Sequence, residues 1–320
     1  MFFPPYAKIS WKGEGISIKS FPELIPEYFR KIKELNADYV FILDKPIVSV
    51  AFFEEVNKIN LPVVWIDHHI TDKIAPDFVN YYNPIFNKES TEEPVTALCY
   101  QVTGRKEDLW IAVTGCISDG FVPEFYNEFE KKYPDLAFRS KDAFDILYKS
   151  QVGKIARIMS FGLKDRTTNV ISMLKFLIKA QTPYEVINQE EKVQPFQKRF
   201  IQIDSKYQRL LKKAAILGKS PDKLLFFQYG GDLSISAELA NELSYIFREK
   251  VIVVVYIKGA KANISVRGKK IRQGFLNSIE GFEGATGGGH ENAVGGQIKI
   301  EDIEKFRENL EKNFGEKRNI

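Results

Sequence analysis

Two short, unbroken apolar runs, Tyr39-Val-Phe-Ile-Leu43 and Pro62-Val-Val-Trp-Ile66, each stop on an aspartate, and a segment of helical spacing, residues 50–60, lies between them. A run apolar at every position, rather than at every second one, is what a strand buried on both faces requires. Strand, helix, strand in that order implies a right-handed crossover and a parallel sheet. Ligand sites in such sheets lie at the carboxyl ends of the strands. Asp44 and Asp67 both fall there, which makes them candidate functional residues before any motif is considered.

The rest of the chain can be arranged around that unit. Residues 21–36 place Leu24, Ile25, Phe29, Ile32 and Leu35 at roughly helical spacing with charges between them, which predicts a helix. Another apolar segment, residues 108–117, leads into Asp119, and a largely helical middle runs to about Lys213, broken by Pro134, Pro183 and Pro195. The last third changes character: strand 224–229, helix 234–247, strand 250–257, a Lys258-Gly-Ala-Lys261 turn, and a strand through Arg267. A helix over 271–282 precedes a glycine-rich stretch, and a strand follows around 297–300. The final helix opens with Glu301 and Asp302, acids that suit the positive end of the helix dipole. The expected fold class is α/β: a parallel-sheet domain with a helical extension over 1–220, and a smaller α/β domain over 221–320, divided near Pro221. There is no internal repeat and no low-complexity tract.

Composition narrows the class. With 320 residues there is material for two cores, and 44% hydrophobic with 28% charged residues is ordinary for a globular protein. The longest apolar stretch, residues 251–257, is too short to cross a bilayer, so no membrane is expected. The opening Phe2-Phe3-Pro4-Pro5 lacks the basic-then-apolar order of a secretory signal. Cys99 and Cys116 have no metal-ligand spacing and read as reduced, buried thiols of a cytoplasmic protein. A net charge of +4 permits a polyanionic partner without demanding one. Basic stretches at 139–179 and 192–223 read first as solvated helix faces, whereas Arg267-Gly-Lys-Lys-Ile-Arg272 neighbours the glycines and points to phosphate.

Histidine usage is the sharpest chemical signal. The chain has three, as Asp67-His68-His69 and as Gly287-Gly288-Gly289-His290. Imidazole suits divalent transition metals and carboxylates bridge them, so a histidine pair directly after a strand-ending aspartate points to a metal site. The plainer alternatives are a surface histidine pair beside helix-capping aspartates, and glycines that make only a turn.

Trp65-Ile-Asp67-His68-His69 resembles the signature that names the DHH family of metal-dependent phosphoesterases. Gly287-Gly-Gly-His290, preceded by Ile264-Ser-Val-Arg267, resembles the paired signature of the C-terminal domain associated with that family. The two stand in the family's order, and the match runs from about residue 21 to 314. The pattern is most similar to archaeal RecJ-like single-strand nucleases, which Asn241-Glu242-Leu243 also resembles. The resemblance implies a divalent metal, manganese first with magnesium as the alternative. Asp44 would bridge two ions, His68 would ligate one, and Asp119, in Gly115-Cys-Ile-Ser-Asp119-Gly120, would close its coordination. Asp67 and His69 would act catalytically, Asp67 by orienting the histidines and His69 by facing the substrate phosphate. Arg267, Gly287, Gly288, Gly289 and His290 would bind substrate, the glycines by close backbone approach and Arg267 by a forked contact to phosphate oxygens. Hydrolysis would then follow the two-metal scheme.

One family motif has no counterpart. The histidine, two aspartates and glycine expected on the first strand are missing upstream of Asp44, where Asp38 stands at a strand entrance and Lys12-Gly-Glu-Gly15 is no substitute. About one strand and one helix are therefore expected to be lacking at the front, through a late start, a separate N-terminal chain or a degenerate member. Asp44, His68 and Asp119 alone would hold one ion loosely and catalyse poorly. The expectation is an exonuclease-like phosphodiester hydrolase acting on single-stranded nucleic acid. Two alternatives stand beside it: a silent binding or scaffold subunit of replication or repair machinery, with a protein partner, and hydrolysis of short oligonucleotides or cyclic dinucleotides.

Overall fold

The computed structural model describes residues 13–16, 18, 23–70, 75–188 and 194–315. Phe2-Phe3-Pro4-Pro5, Lys12, Phe21 and Lys192, on which sequence expectations rest, lie outside the described residues. The chain divides into two compact units, residues 1–197 and 198–320.

The first unit begins with β1 (Glu23–Leu24), α1 (Phe29–Glu34), β2 (Val40–Leu43), β3 (Ile47–Val48), α2 (Val50–Asn57), β4 (Val63–Ile66) and β5 (Val79–Tyr82). The expected helix over 21–36 is thus confined to 29–34. Pro26 opens a 3-10 turn and holds Ile25 extended, at φ −92° and ψ 158°, so an unbroken helix cannot form. Leu24 instead pairs in a two-stranded parallel ladder with Val48. The main sheet is parallel in the order β2-β4-β5, with Leu43 opposite Ile66 and Ile66 opposite Tyr82. Ser49 caps α2 by accepting the Phe52 N–H at 3.1 Å. That helix then buries Phe52, Phe53 and Val56 against Val63 and Trp65. At roughly 1.5–3 kcal/mol per buried large side chain, this layer is a principal anchor of the sheet.

Helices cover the opposite face. α3 (Val95–Thr103) ends on Gly104 in the left-handed region, and its Val95, Leu98 and Cys99 pack on Ile66. α4 (Leu109–Ser118) buries eight of its ten residues, which is why residues 108–117 are apolar without a helical period. A Cβ on Gly115 would lie 2.6 Å from Thr96 Cγ2, so glycine is what lets α4 approach α3 this closely. α5 (Tyr126–Lys132), α6 (Ala143–Lys149), α7 (Gln151–Gly162), α8 (Thr167–Lys179) and α9 (Tyr184–Ile187) complete the helical extension, and α10 (Pro195–Gly218) runs into the second unit. Cys99 and Cys116 are buried and unbridged.

In the second unit Tyr207 of α10 donates from its hydroxyl to the Glu238 carbonyl, and Lys206 pairs with Asp232 at 2.8 Å. The elements that follow are β6 (Leu224–Gly230), α11 (Ser236–Ile246), β7 (Val251–Lys258), β8 (Lys261–Arg267), α12 (Arg272–Ile279), β9 (Thr286–His290), β10 (Ala293–Lys299) and α13 (Ile303–Phe314). The sheet order is β6-β7-β8-β10-β9, parallel only between β6 and β7. Phe275, Ile279, Phe306 and Leu310 of α12 and α13 seal one face against Val253, Val255, Ile264 and Val294. On the other face Ser236, at the start of α11, hydrogen-bonds Ser265 of β8 at 3.0 Å. Among the described residues no helix is long and apolar enough to cross a membrane.

The glycines depart from expectation. Gly287, Gly288 and Gly289 are not a loop but the middle of β9, and β10 starts at Ala293 rather than near Gln297. Low strand propensity is overridden by the ladder that β10 shares with β8 and β9. Close packing makes glycine necessary at Gly287, where a Cβ would strike Ile279 and Phe275 at 2.6 and 2.8 Å.

Candidate metal centre and phosphate-facing sheet

The two strand-ending aspartates come together because β2 and β4 are neighbours. The ladder continues past both strands, with Asp44 N–H donating to Ile66 O and Asp67 N–H to Tyr82 O. Asp44 adopts a left-handed conformation, φ 57°, at a cost of roughly 1–3 kcal/mol that surrounding structure must sustain. Its carboxylate turns toward His68, with Asp44 Oδ1 3.4 Å from His68 Nε2. That distance is an ion-pair approach without hydrogen-bond geometry, and Oδ1 is buried with no hydrogen-bond partner. A buried acceptor left in this state is costly unless a cation meets it.

Asp67 is fully buried and faces the other way. Its Oδ1 lies 2.9 Å from His69 Nδ1, and its Oδ2 accepts the His69 N–H at 3.1 Å. This fixes the ring so that Nε2 is the atom presented outward, the arrangement in which a carboxylate supports a metal-bound imidazole. Asn83, also buried, donates to His69 O at 3.0 Å and accepts the Ile85 N–H at 3.1 Å. An Asn-Pro pair fourteen residues downstream was the only sequence signal near this clamp, and it says nothing of the partner.

One ligand atom from each of Asp44, His68 and His69 lies within 4.8 Å of the others, so these three residues could hold a metal ion. They form the one such group among the described residues. Asp119 stands outside it, as the C-cap of α4, where the negative end of the helix dipole disfavours a carboxylate. Partial removal from water and the like charge of Asp44 push its pKa up to about 6, against the pull of His68 and His69. Burial also acts on Asp44, but the His68 imidazole outweighs it and holds that carboxyl below the ordinary range. For His68, burial opposes the charged ring, while Asp44, then Asp119 and Asp67, hold its pKa above the usual histidine value. An N/O donor set, an orphaned carboxylate oxygen and a repelled second carboxylate fit a divalent cation.

The second unit assembles the other predicted residues by strand register. Arg267, Ala293 and His290 lie in one cross-strand row. Arg267 Nε donates to Asn241 Oδ1 at 2.5 Å, and Nη1 donates to the carbonyls of Val266 and Val294. Asn241 therefore sets the plane of the guanidinium, a role not read from the sequence. Gly288 has no atom within 4 Å of where a Cβ would lie, so of the three glycines it is the one that opens on empty space. Gly289, at φ 135°, instead allows β9 to meet Ala293 O, 2.5 Å from its Cβ position. The Lys269 ammonium in the adjoining basic cluster pairs with Glu249 at 3.3 Å.

Comparison with known proteins agrees with both halves. The family model described as the DHHA1 domain matches residues 222–316. No curated protein matches the chain by sequence. Among solved structures, RecJ from Thermus thermophilus in complex with Mn2+ is similar at TM-score 0.61 and 14% identity over 91% of this chain. The chain spans 47% of that RecJ's length, and RecJ from the same organism in complex with Mg2+ matches at TM-score 0.51. An exonuclease RecJ bound to manganese matches at TM-score 0.58 and 14% identity, covering 93% of this chain and 80% of that one. The DHH domain of a member of the s1p family of ribosomal proteins matches at 0.60 and 16%, covering 91% and 75%. The chain carries a RecJ-like fold, and its residues 222–316 form a DHHA1 domain.

Proposed function

We propose that the chain is a divalent-metal-dependent phosphodiester hydrolase of the RecJ-like kind, acting on single-stranded nucleic acid from an end. The observation that carries this reading is Asp44 Oδ1, buried without a hydrogen bond and 3.4 Å from His68 Nε2, at the carboxyl ends of adjacent parallel strands. Asp44, His68 and His69 are the proposed ligands, with Asp119 as the carboxylate that a cation recruits. A divalent ion held there supplies a water of lowered pKa and polarises phosphoryl oxygens. Asp67 holds His69 in the tautomer that keeps Nε2 outward, and Asn83 pins its backbone. In the second unit Arg267 and His290 bind phosphate from one cross-strand row, Arg267 through its positive charge rather than by a fork, because its Nε and Nη1 already donate to Asn241 and to the Val266 and Val294 carbonyls. RecJ structures in complex with Mn2+ and with Mg2+ support a divalent metal; manganese is the proposed ion, with magnesium as the alternative.

A second reading, a nucleic-acid-binding subunit without hydrolytic activity, is favoured by one observation. The described residues contain a single three-ligand group, whereas in-line hydrolysis with two ions needs ligands for both. The deciding experiment incubates the chain with a labelled single-stranded oligonucleotide, with Mn2+ or with chelator. The first reading expects Mn2+-dependent shortening from one end, abolished by Asp44→Asn. Binding without shortening establishes the second reading in its place.

A further inference from the structure

We propose that Asn263 and Gln297 read the base of the nucleotide whose phosphate Arg267 and His290 hold, so that the second unit recognises a strand end by its base as well as its charge. This rests on the phosphate-binding reading given above. Strand register places the groups. Three successive cross-strand rows share one face of the sheet: Arg267, Ala293 and His290; then Ser265, Gly295 and Gly288; then Asn263, Gln297 and Thr286. The first row is cationic and the third is polar. At about 3.4 Å per residue they stand roughly 14 Å apart, a span that long side chains shorten from both ends.

Over β10 and β9 the middle row leaves the space between them open, whereas over β8 Ser265 is buried beneath α11. No atom lies within 4 Å of a Cβ position on Gly288, and Gly295 meets only Ile264 O at 3.4 Å. Ser265 is turned aside to Ser236. At the far end Gln297 Nε2 donates to Asn263 Oδ1 at 2.9 Å. That bond commits one donor of Gln297 and the acceptor of Asn263, so the joined pair still offers the Asn263 amide N–H groups as donors and Gln297 Oε1 as an acceptor. A donor beside an acceptor is the pattern that complements the edge of a base, adenine above all. Both side chains are half-buried and already held by each other, so little freedom is lost on binding. A strut joining β8 to β10 would need the same hydrogen bond but would show no dependence on the base.

The test measures binding of the full chain, without metal, to two single-stranded oligonucleotides that differ only in carrying a terminal adenine or a terminal abasic sugar, at each end in turn. The native chain should prefer the adenine end by about tenfold. Asn263→Leu and Gln297→Met keep side-chain volume, and either should reduce that preference to near unity while leaving the salt dependence unchanged. Arg267→Ala should weaken both oligonucleotides alike. A native chain with no preference, or folded variants that retain it, would overturn the inference and leave phosphate binding standing. Failure of the native chain to bind either oligonucleotide would overturn phosphate binding and this inference together.

Discussion

In the first unit the candidate groups converge on a point, while in the second they are spread along a sheet face. Asp44, His68 and His69 gather within 4.8 Å at the ends of β2 and β4, beside a buried Asp67 and a repelled Asp119. Arg267 and His290 stand two strands apart, and Arg267 is already satisfied by Asn241 and two carbonyls. The converged site carries electrostatic and conformational cost that His68 offsets at Asp44 but not at Asp119: a left-handed Asp44, a buried oxygen without a hydrogen bond, a raised Asp119 carboxyl. The spread site carries almost none. A site of the first kind is completed by a cation and should respond steeply to single substitutions and to pH. A site of the second kind offers surface to a polyanion and should respond gently, through salt.

The largest difference should appear on weakening the support of the converged site. Asp67→Asn turns one of the two acceptor oxygens that hold His69 into a donor and removes the charge, so the backbone N–H and Nδ1–H of His69 can no longer both be met, and Mn2+ affinity should drop about 10- to 100-fold. An equivalent change at Asn241 should leave Mn2+ binding untouched. Next comes Gly115→Ala. Helix propensity alone would favour it by about 1 kcal/mol, but the new Cβ meets Thr96 at 2.6 Å. Thermal denaturation should show a net loss of about 1–3 kcal/mol, the usual cost of overpacking, and Mn2+ affinity should fall as Asp119 shifts with α4.

A smaller effect should follow pH. Asp119 titrates near 6 in the folded chain, above the value of about 4 expected when unfolded, so folding takes up a proton in that window. Metal-free stability should therefore fall as pH rises from 4 to 6 through this group, and Asp119→Asn should remove that contribution. Mn2+ affinity should rise over the same range, because binding expels the proton. Affinity that is flat with pH would contradict the placement of Asp119 beside the ion. The smallest expected effect lies on the sheet. Arg267→Ala should lower oligonucleotide affinity modestly and reduce the slope of log affinity against log salt by about one.

The contrast also explains what the sequence could disclose. β2 and β4 were legible as strands because both are continuous apolar runs, and Asp44 and Asp67 followed from their ends; burial on both faces fails for β2, which is the edge of its sheet among the described residues and leaves Phe41 49% exposed. β5 was not, since Val79, Asn80, Tyr81 and Tyr82 alternate in burial without an apolar run. α4 was legible as apolar but not as a helix, because a helix buried on all sides loses its period. The glycines of β9 resembled a loop until the ladder with β10 and the packing of Phe275 under Gly287 were in view. Motif resemblance pointed to His68, His69, Arg267 and His290, passed over Asn83, and picked out Asn241 without its role beside Arg267. Asn83 and Asn241 act through hydrogen bonds to residues 14 and 26 positions away, and no local pattern encodes such a partner.

The most direct test of the central claim is calorimetric titration of Mn2+ into the full chain at neutral pH, beside the His68→Ala variant. Asp44, His68 and His69 as ligands predict a saturable site in the native chain that loses more than about a hundredfold in affinity in the variant, beyond the 10- to 100-fold that outer partners contribute. Equal Mn2+ binding by the two proteins, with both folded, would contradict it and place the ion elsewhere in the chain.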